Sequence, residues 1–314
     1  MSADRECPMT IDGQCTIDTV LAAFDAHLRR TRGTCPDARR SYTNFTRAFL
    51  ESVPGEYVQD LGRISAPDVI RFVFAKTAQY RPCTVKLIGT ALRSFFRFLR
   101  MAGCRSDRLE DAVPTVPHRR HASLPRYLGE REFARLMASL DVSSPRALRD
   151  KVILLCLARL GLRASEVARL QLEDIDWRAG TVHVRTRKTG RGAVLPLPGD
   201  LGRALVAYLR CGRPATQARQ VFVLHHMRVG EPANRQVVGD AVRRALRHAG
   251  ISAPIRGANL LRHSLASALL RHGATLKDIA DLFGHRSLDT TTIYAKVDLA
   301  ALREVALPWP EVKP

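Results

Sequence analysis

The sequence is short of acidic residues and of lysine. Against 50 Lys+Arg stand 30 Asp+Glu, a formal net charge of +20 and a pI of about 10.6. Only seven of the basic residues are lysines, at 76, 86, 151, 188, 277, 296 and 313, so 43 are arginines. The acid deficit points to a polyanionic partner, with DNA or RNA first. A GC-rich genome produces an arginine excess without function, so one arginine says little and a well-placed lysine says more. Long apolar runs are missing too. The longest in mid-chain, Val152 to Ala158, is seven residues, far below the ~20 that a membrane helix needs. The start carries Asp4 and Glu6 and no apolar signal core, so secretion is not expected. The seven cysteines are odd in number, scattered and never spaced as CxxC. That argues against a disulfide framework or zinc site and for reduced thiols in a cytoplasmic protein. No internal repeat or low-complexity segment stands out. What remains, 46% hydrophobic and 25% charged residues, is ordinary globular composition.

At roughly 100–200 residues per domain, 314 residues suggest two domains. The first half reads as helical. Ile17, Val20, Leu21, Phe24 and Leu28 repeat at three and four from Thr16 onward. Asp37 is the expected cap of a second helix carrying Tyr42, Phe45 and Phe49, and a third spans about 67–78 with Pro67 in its first turn. In a fourth, from Thr84 to Met101, the residues Ile88, Leu92, Phe95, Phe96 and Leu99 share one face. Lys86, Arg93, Arg97 and Arg100 fall within about 60° of one another on the opposite side. Such a row is either a solvated helix face or a stripe that tracks DNA phosphates, and the second is the candidate DNA-binding role.

Pro114, Pro117, Pro125 and a basic His118-Arg119-Arg120-His121 run mark a stiff, solvated linker. The expected organisation is a helical core-binding domain over 14–102, a linker over 103–126, a catalytic domain over 127–300 and a tail over 301–314. Net charge is +6 before residue 122 and +14 from there on, so both halves suit an anionic partner. The second half is expected to be helical over 129–140, 145–160, 201–210, 236–249, 260–271, 276–283 and 288–297. A β-hairpin interrupts it: Thr181 to Arg185 alternates, Ala193 to Leu197 forms the partner strand, and residues 187–192 supply the turn. Gly273 and Gly284 stand where C-terminal caps stand, and Thr275 with Asp278 resembles a capping box. The fold class is therefore mainly α, with an α+β catalytic half.

The segment 259–294 holds Asn259, Arg262-His263, Gly284-His285 and Tyr294, with 23 residues from Arg262 to His285 and nine from His285 to Tyr294. This pattern resembles the C-terminal signature of the tyrosine recombinases, the phage-integrase and Xer-like superfamily. Two pieces upstream match as well. Gly161-Leu162-Arg163-Ala164-Ser165-Glu166 is similar to the family's first-arginine motif, and Lys188 to its hairpin lysine, eight residues before Pro196. The likeness covers about 14–300, with strong motifs only in 160–297. Each residue alone is ordinary; their order and spacing carry the resemblance.

The resemblance implies a site-specific recombinase or integrase that cleaves and rejoins DNA strands, serving integration or transposition of a mobile element. Tyr294 is the implied nucleophile, forming a 3′-phosphotyrosyl ester and a free 5′-OH. Arg163 and Arg262 would stabilise charge on the phosphoryl oxygens, with no metal, cofactor or ATP. Lys188 is the implied general acid and His285 a hydrogen-bond donor to the phosphoryl group. Glu166, one turn from Arg163, is expected to hold its guanidinium, and His263 to support Arg262 or helix packing. The implied partners are double-stranded DNA and further protomers or partner recombinases, two on each site and four at the synapse, with two domains clamping the duplex. No membrane is involved, and the location is cytoplasmic, at the nucleoid. The tail, with Leu302, Val305 and Trp309, suits docking on a neighbour or on its own subunit equally.

One departure stands out. The family usually has His or Lys where this sequence has Asn259. An amide hydrogen-bonds a phosphoryl oxygen but does not shuttle protons, and Asn is also a good helix N-cap. Alternatives follow: a DNA-binding homologue that cuts weakly or not at all, or a type IB topoisomerase with the same phosphotyrosyl chemistry. A helix-turn-helix regulator accounts for 276–287 but leaves Lys188 and Arg163 with Glu166 unexplained.

Overall fold

In the computed structural model the described residues are 16–53, 61–117, 127–140, 142–185, 192–252, 257–284 and 291–295. Contacts divide the chain into two units, 1–120 and 121–314. Among the described residues no helix is long and apolar enough to cross a membrane.

The first unit is built from α1 (Ile17–Arg32), α2 (Pro36–Leu50), α3 (Ala66–Gln79) and α4 (Pro82–Met101). Thr16 and Thr19 close α1 reciprocally: the Thr19 amide donates to Thr16 Oγ1 at 3.2 Å and the Thr16 amide to Thr19 Oγ1 at 3.1 Å. Asp37 does not cap α2. Cys35 holds the cap position, Pro36 starts the helix, and Asp37 lies in the first turn, where its charge faces the positive helix end. Phenylalanines knit the core, with Phe24 edge-on to Phe95 at 5.3 Å and Phe49 edge-on to Phe96 at 5.7 Å.

Helix α4 is more deeply buried than its five-residue apolar face predicts. Val85, Gly89, Ala91, Ser94 and Phe98 are buried as well, which leaves one narrow exposed strip. Lys86, Arg97 and Arg100 lie on that strip, but the four cations do not act alike. Arg93 Nη2 donates to the carbonyls of Val113 (2.9 Å) and Pro114 (3.1 Å) and to Thr115 Oγ1 (3.1 Å). Arg100 pairs with the buried Glu110 at 2.9 Å. Two members of the expected phosphate stripe thus fasten the chain that follows α4. That chain is not all solvated linker: a 3-10 turn over Leu109–Ala112 packs Leu109 and Val113 into the first unit's core.

The second unit comprises α5 (Glu130–Ala138), α6 (Pro145–Arg159), α7 (Ala164–Arg169), strands β1 (Ile175–Asp176), β2 (Thr181–Val184) and β3 (Ala193–Pro196), then α8 (Gly199–Ala207), α9 (Arg235–His248), α10 (Asn259–Arg271), α11 (Leu276–Phe283) and α12 (Thr292–Ala295). The seven-residue apolar run is the middle of α6. Every residue from Val152 to Ala158 is buried, because α7, α8, α9 and α10 all pack on this helix. A helix apolar all round belongs in the centre of its unit. The hairpin pairs Val182 with Leu195 and Val184 with Ala193, turning the alternate residues Val182, Val184 and Leu195 inward. The two-residue β1 adds a third antiparallel strand that was not expected. The hairpin turn that carries Lys188 lies outside the described residues, as does His285. Of the helix expected over 288–297, the described part is α12.

Candidate active site

The site residues are placed by the end of α6 and by one face of α10. Helix α6 stops at Arg159, and Gly161 turns the chain in the left-handed region at φ +59°. Leu162 is buried, and Arg163 becomes the N-cap residue of α7. Glu166 then serves twice. One carboxylate oxygen accepts from the Arg163 backbone amide at 2.8 Å, and the other pairs with Arg163 Nη1 at 2.7 Å. Glu166 is 5% exposed and holds the guanidinium as the sequence implied.

Arg262 lies in the first turn and a half of α10 and is buried. Its Nη1 donates to the Gly161 carbonyl, and its Nη2 donates to the Phe283 carbonyl at 2.8 Å. The guanidinium also stacks on the Phe283 ring, 4.0 Å from the centroid. One side chain therefore clips the turn that presents Arg163 to the end of α11, next to Gly284-His285. Gly284 closes α11 in the left-handed conformation at φ +59°, as expected of a C-terminal cap.

Tyr294, on α12, is 2% exposed and packs on Ala266, Ile279 and Phe283. Its hydroxyl lies 2.9 Å from His263 Nδ1. Burial pushes the phenol up to about 12, against the opposing pull of Arg262 and Arg163. Both arginines therefore act on the tyrosine through space, and the three sequence motifs converge. Burial, and then Arg262, hold the His263 imidazole below its usual range. Imidazole and phenol thus meet uncharged, and in the tautomer with the proton on Nε2 the phenol donates to Nδ1.

One expectation is extended and another changes. His263 was expected to support Arg262 or helix packing, and its ring nitrogen also bonds to Tyr294. Asn259 is not the cap of α10: Ala258 stands there with a backbone that is already helical, so no extended residue remains to fold a side chain back. Asn259 is the exposed first residue of the helix. Sequence reasoning also missed the carbonyl clips of Arg262 and the pairing of Arg185 with the buried Asp174 at the root of the hairpin. Backbone acceptors have no sequence signature, and Asp174 stands among three acids at 173, 174 and 176, so its pairing with Arg185 was not marked either. Among the described residues no three of His, Cys, Asp and Glu are grouped as metal ligands.

Comparison with known proteins supplies the family. The profile of the phage integrase family matches residues 126–300, and the chain belongs to that family, within the tyrosine recombinase superfamily. It is 41% identical over 294 residues to y4rA, a candidate integrase/recombinase of Sinorhizobium fredii, covering 94% of this chain and 71% of that protein. It is 31% identical over 286 residues to the tyrosine recombinase XerA of Thermococcus kodakarensis, covering 91% and 93%. In fold it is similar to the XerH site-specific recombinase bound to palindromic difH substrate, with a TM-score of 0.68 at 17% identity over 95% of this chain and 98% of that one. It is likewise similar to a lambda integrase dimer bound to a COC′ core site, with a TM-score of 0.67 at 17% identity over 94% and 99%.

Proposed function

We propose that this protein cuts and rejoins duplex DNA through a covalent bond to Tyr294, in the service of integration or transposition of a mobile element. The observation that carries the reading is the pair of neighbours Arg262 and His263. The first is bonded to the Arg163 turn and to the residue before Gly284-His285, and the second to the Tyr294 hydroxyl. The phenol oxygen attacks a backbone phosphorus, the bond to the 5′-oxygen breaks, and a 3′-phosphotyrosyl ester and a free 5′-OH result. Arg163 and Arg262 offset the charge that builds on the phosphoryl oxygens. Lys188 protonates the departing oxygen, and His285 donates to the phosphoryl group. The ester conserves the energy of the broken bond, so attack by a second 5′-OH reseals the strand without ATP or metal.

The +20 charge supports a DNA partner, with the exposed Lys86 and Arg97 on the phosphates from the first unit. Identity of 41% to an integrase/recombinase of Sinorhizobium fredii supports the integrating role. Fold neighbours that are DNA-bound dimers and a tetramer on a Holliday junction support assembly in pairs on each site and in fours at the synapse.

The test uses duplex DNA nicked close to the cleavage site, so that the short 5′-OH fragment diffuses away and the covalent adduct accumulates. The wild-type protein is expected to form a denaturation-resistant adduct, and Tyr294→Phe none. Absence of any adduct across a library of nicked sites would favour the non-cutting homologue. Relaxation of supercoils without strand exchange would favour the topoisomerase.

Asn259→His is expected to retain or raise the cleavage rate, because the exposed first position of α10 takes an imidazole without burial cost. Single-turnover cleavage measures this; a large loss with DNA binding unchanged would show that the amide itself is required.

A further inference from the structure

The Tyr294 hydroxyl is shut away from water and still has a base beside it. His263 Nδ1 stands 2.9 Å from the oxygen, with ring centroids 5.6 Å apart and planes tilted by 55°. His263 lies four residues after Asn259, hence on the same face of α10 and one turn further along. The Asn259 amide has no lone pair basic enough to take a proton near neutral pH. We propose that His263 is the proton acceptor for Tyr294 in strand cleavage, the acceptor being displaced by one helical turn from the position that Asn259 occupies. The proposal rests on the recombinase reading above.

The step balances within the site. As the Tyr294 oxygen bonds to phosphorus, its proton passes to Nδ1 and the bond to the 5′-oxygen breaks. On rejoining, the incoming 5′-OH displaces the tyrosine, and His263 returns the proton to the leaving phenolate. The charged groups facing the pair are Arg262 on the same helix and Arg163 at the start of α7. Arg262 disfavours an imidazolium at rest, and both arginines act on the phenol. A phosphodiester bound between them brings negative charge that offsets theirs, and the imidazole becomes a better base only when DNA is in place.

The discriminating variant is His263→Gln, which keeps a hydrogen-bond acceptor for the phenol but cannot take its proton. Single-turnover adduct formation on nicked DNA is expected to fall about 100-fold, within the usual range for general-base loss, with DNA affinity unchanged. The residual rate should also lose its acid limb. A fall of less than tenfold would overturn the proposal. If His263→Gln does not fold, the wild-type rate decides: it should decline on acidification between about pH 8 and about pH 5 as an imidazole protonates, and a flat profile would overturn the proposal. Failure of the recombinase reading looks different, since the wild-type protein would then form no adduct at any pH.

Discussion

Arg262→Ala is expected to lose strand cleavage and to lower stability together. Two backbone carbonyls, those of Gly161 and Phe283, lose their donor inside the second unit. A buried acceptor left unsatisfied costs about 1–3 kcal/mol, and the Phe283 ring loses its stacked cation. A total of roughly 3 kcal/mol would lower the melting temperature by about 6–12 °C for a unit of this size. Cleavage should fall by about 10²–10³-fold or more, the usual loss when one donor to a developing oxyanion is removed. Arg262→Lys separates charge from geometry. A single ammonium has the charge but not the fork that reaches both carbonyls, so cleavage should stay at least about 10²-fold down. Thermal melting and single-turnover adduct formation measure the two effects. An unchanged melting temperature in Arg262→Ala would show that the clips are not structural. Cleavage within tenfold of wild type would remove the guanidinium from the reaction.

Gly161→Ala is expected to be nearly as damaging without touching a charged residue. At φ +59° an L-residue pays about 1–2 kcal/mol in backbone energy. The added methyl would also overlap the Phe283 ring and meet Leu265 Cδ2 at 3.1 Å. Overpacking of that kind costs about 1–3 kcal/mol, and the same shift moves the carbonyl that orients Arg262. Gly180→Ala is the internal control, because Gly180 has φ +62° and nothing within 4 Å of the added carbon. Urea unfolding should show Gly161→Ala about 1–3 kcal/mol less stable than Gly180→Ala. Equal losses would mean that Phe283 yields and that the turn tolerates a side chain. Binding to double-stranded DNA should survive in both variants.

The features readable from sequence were those whose cause is local. Thr16 begins α1, Pro67 sits in the first turn of α3, and Thr275 with Asp278 opens α11 because each bond spans three residues or fewer. The hairpin was legible because Val182, Val184 and Leu195 alternate with exposed residues. Motif order likewise suggested that Arg163, Arg262 and Tyr294 are neighbours, and Arg262 does bond to the turn that precedes Arg163. Hidden from sequence were contacts made by generic groups over long separations. Arg93 and Arg100 look like their exposed neighbour Arg97, and only tertiary packing reveals that they grip residues 110–115. Leu109 and Val113 are isolated apolar residues between charges and prolines, so nothing local marks them as core. Asn259 read as a helix cap because asparagine favours that position; the preceding helical turn took the place. His263 and Tyr294 lie 31 residues apart, and no periodicity links them.

The clip between Arg262 and Gly161 closes a loop of 101 residues, and that has a consequence for the newborn chain. At ribosomal rates of about 5–20 residues per second, the guanidinium follows its acceptor by roughly 5–20 s. Phe283 and Tyr294 follow later still. The first unit, residues 1–120, is synthesised well before any of them exists. The clips that join the Arg163 turn to the end of α11 are thus among the last contacts available to the growing chain.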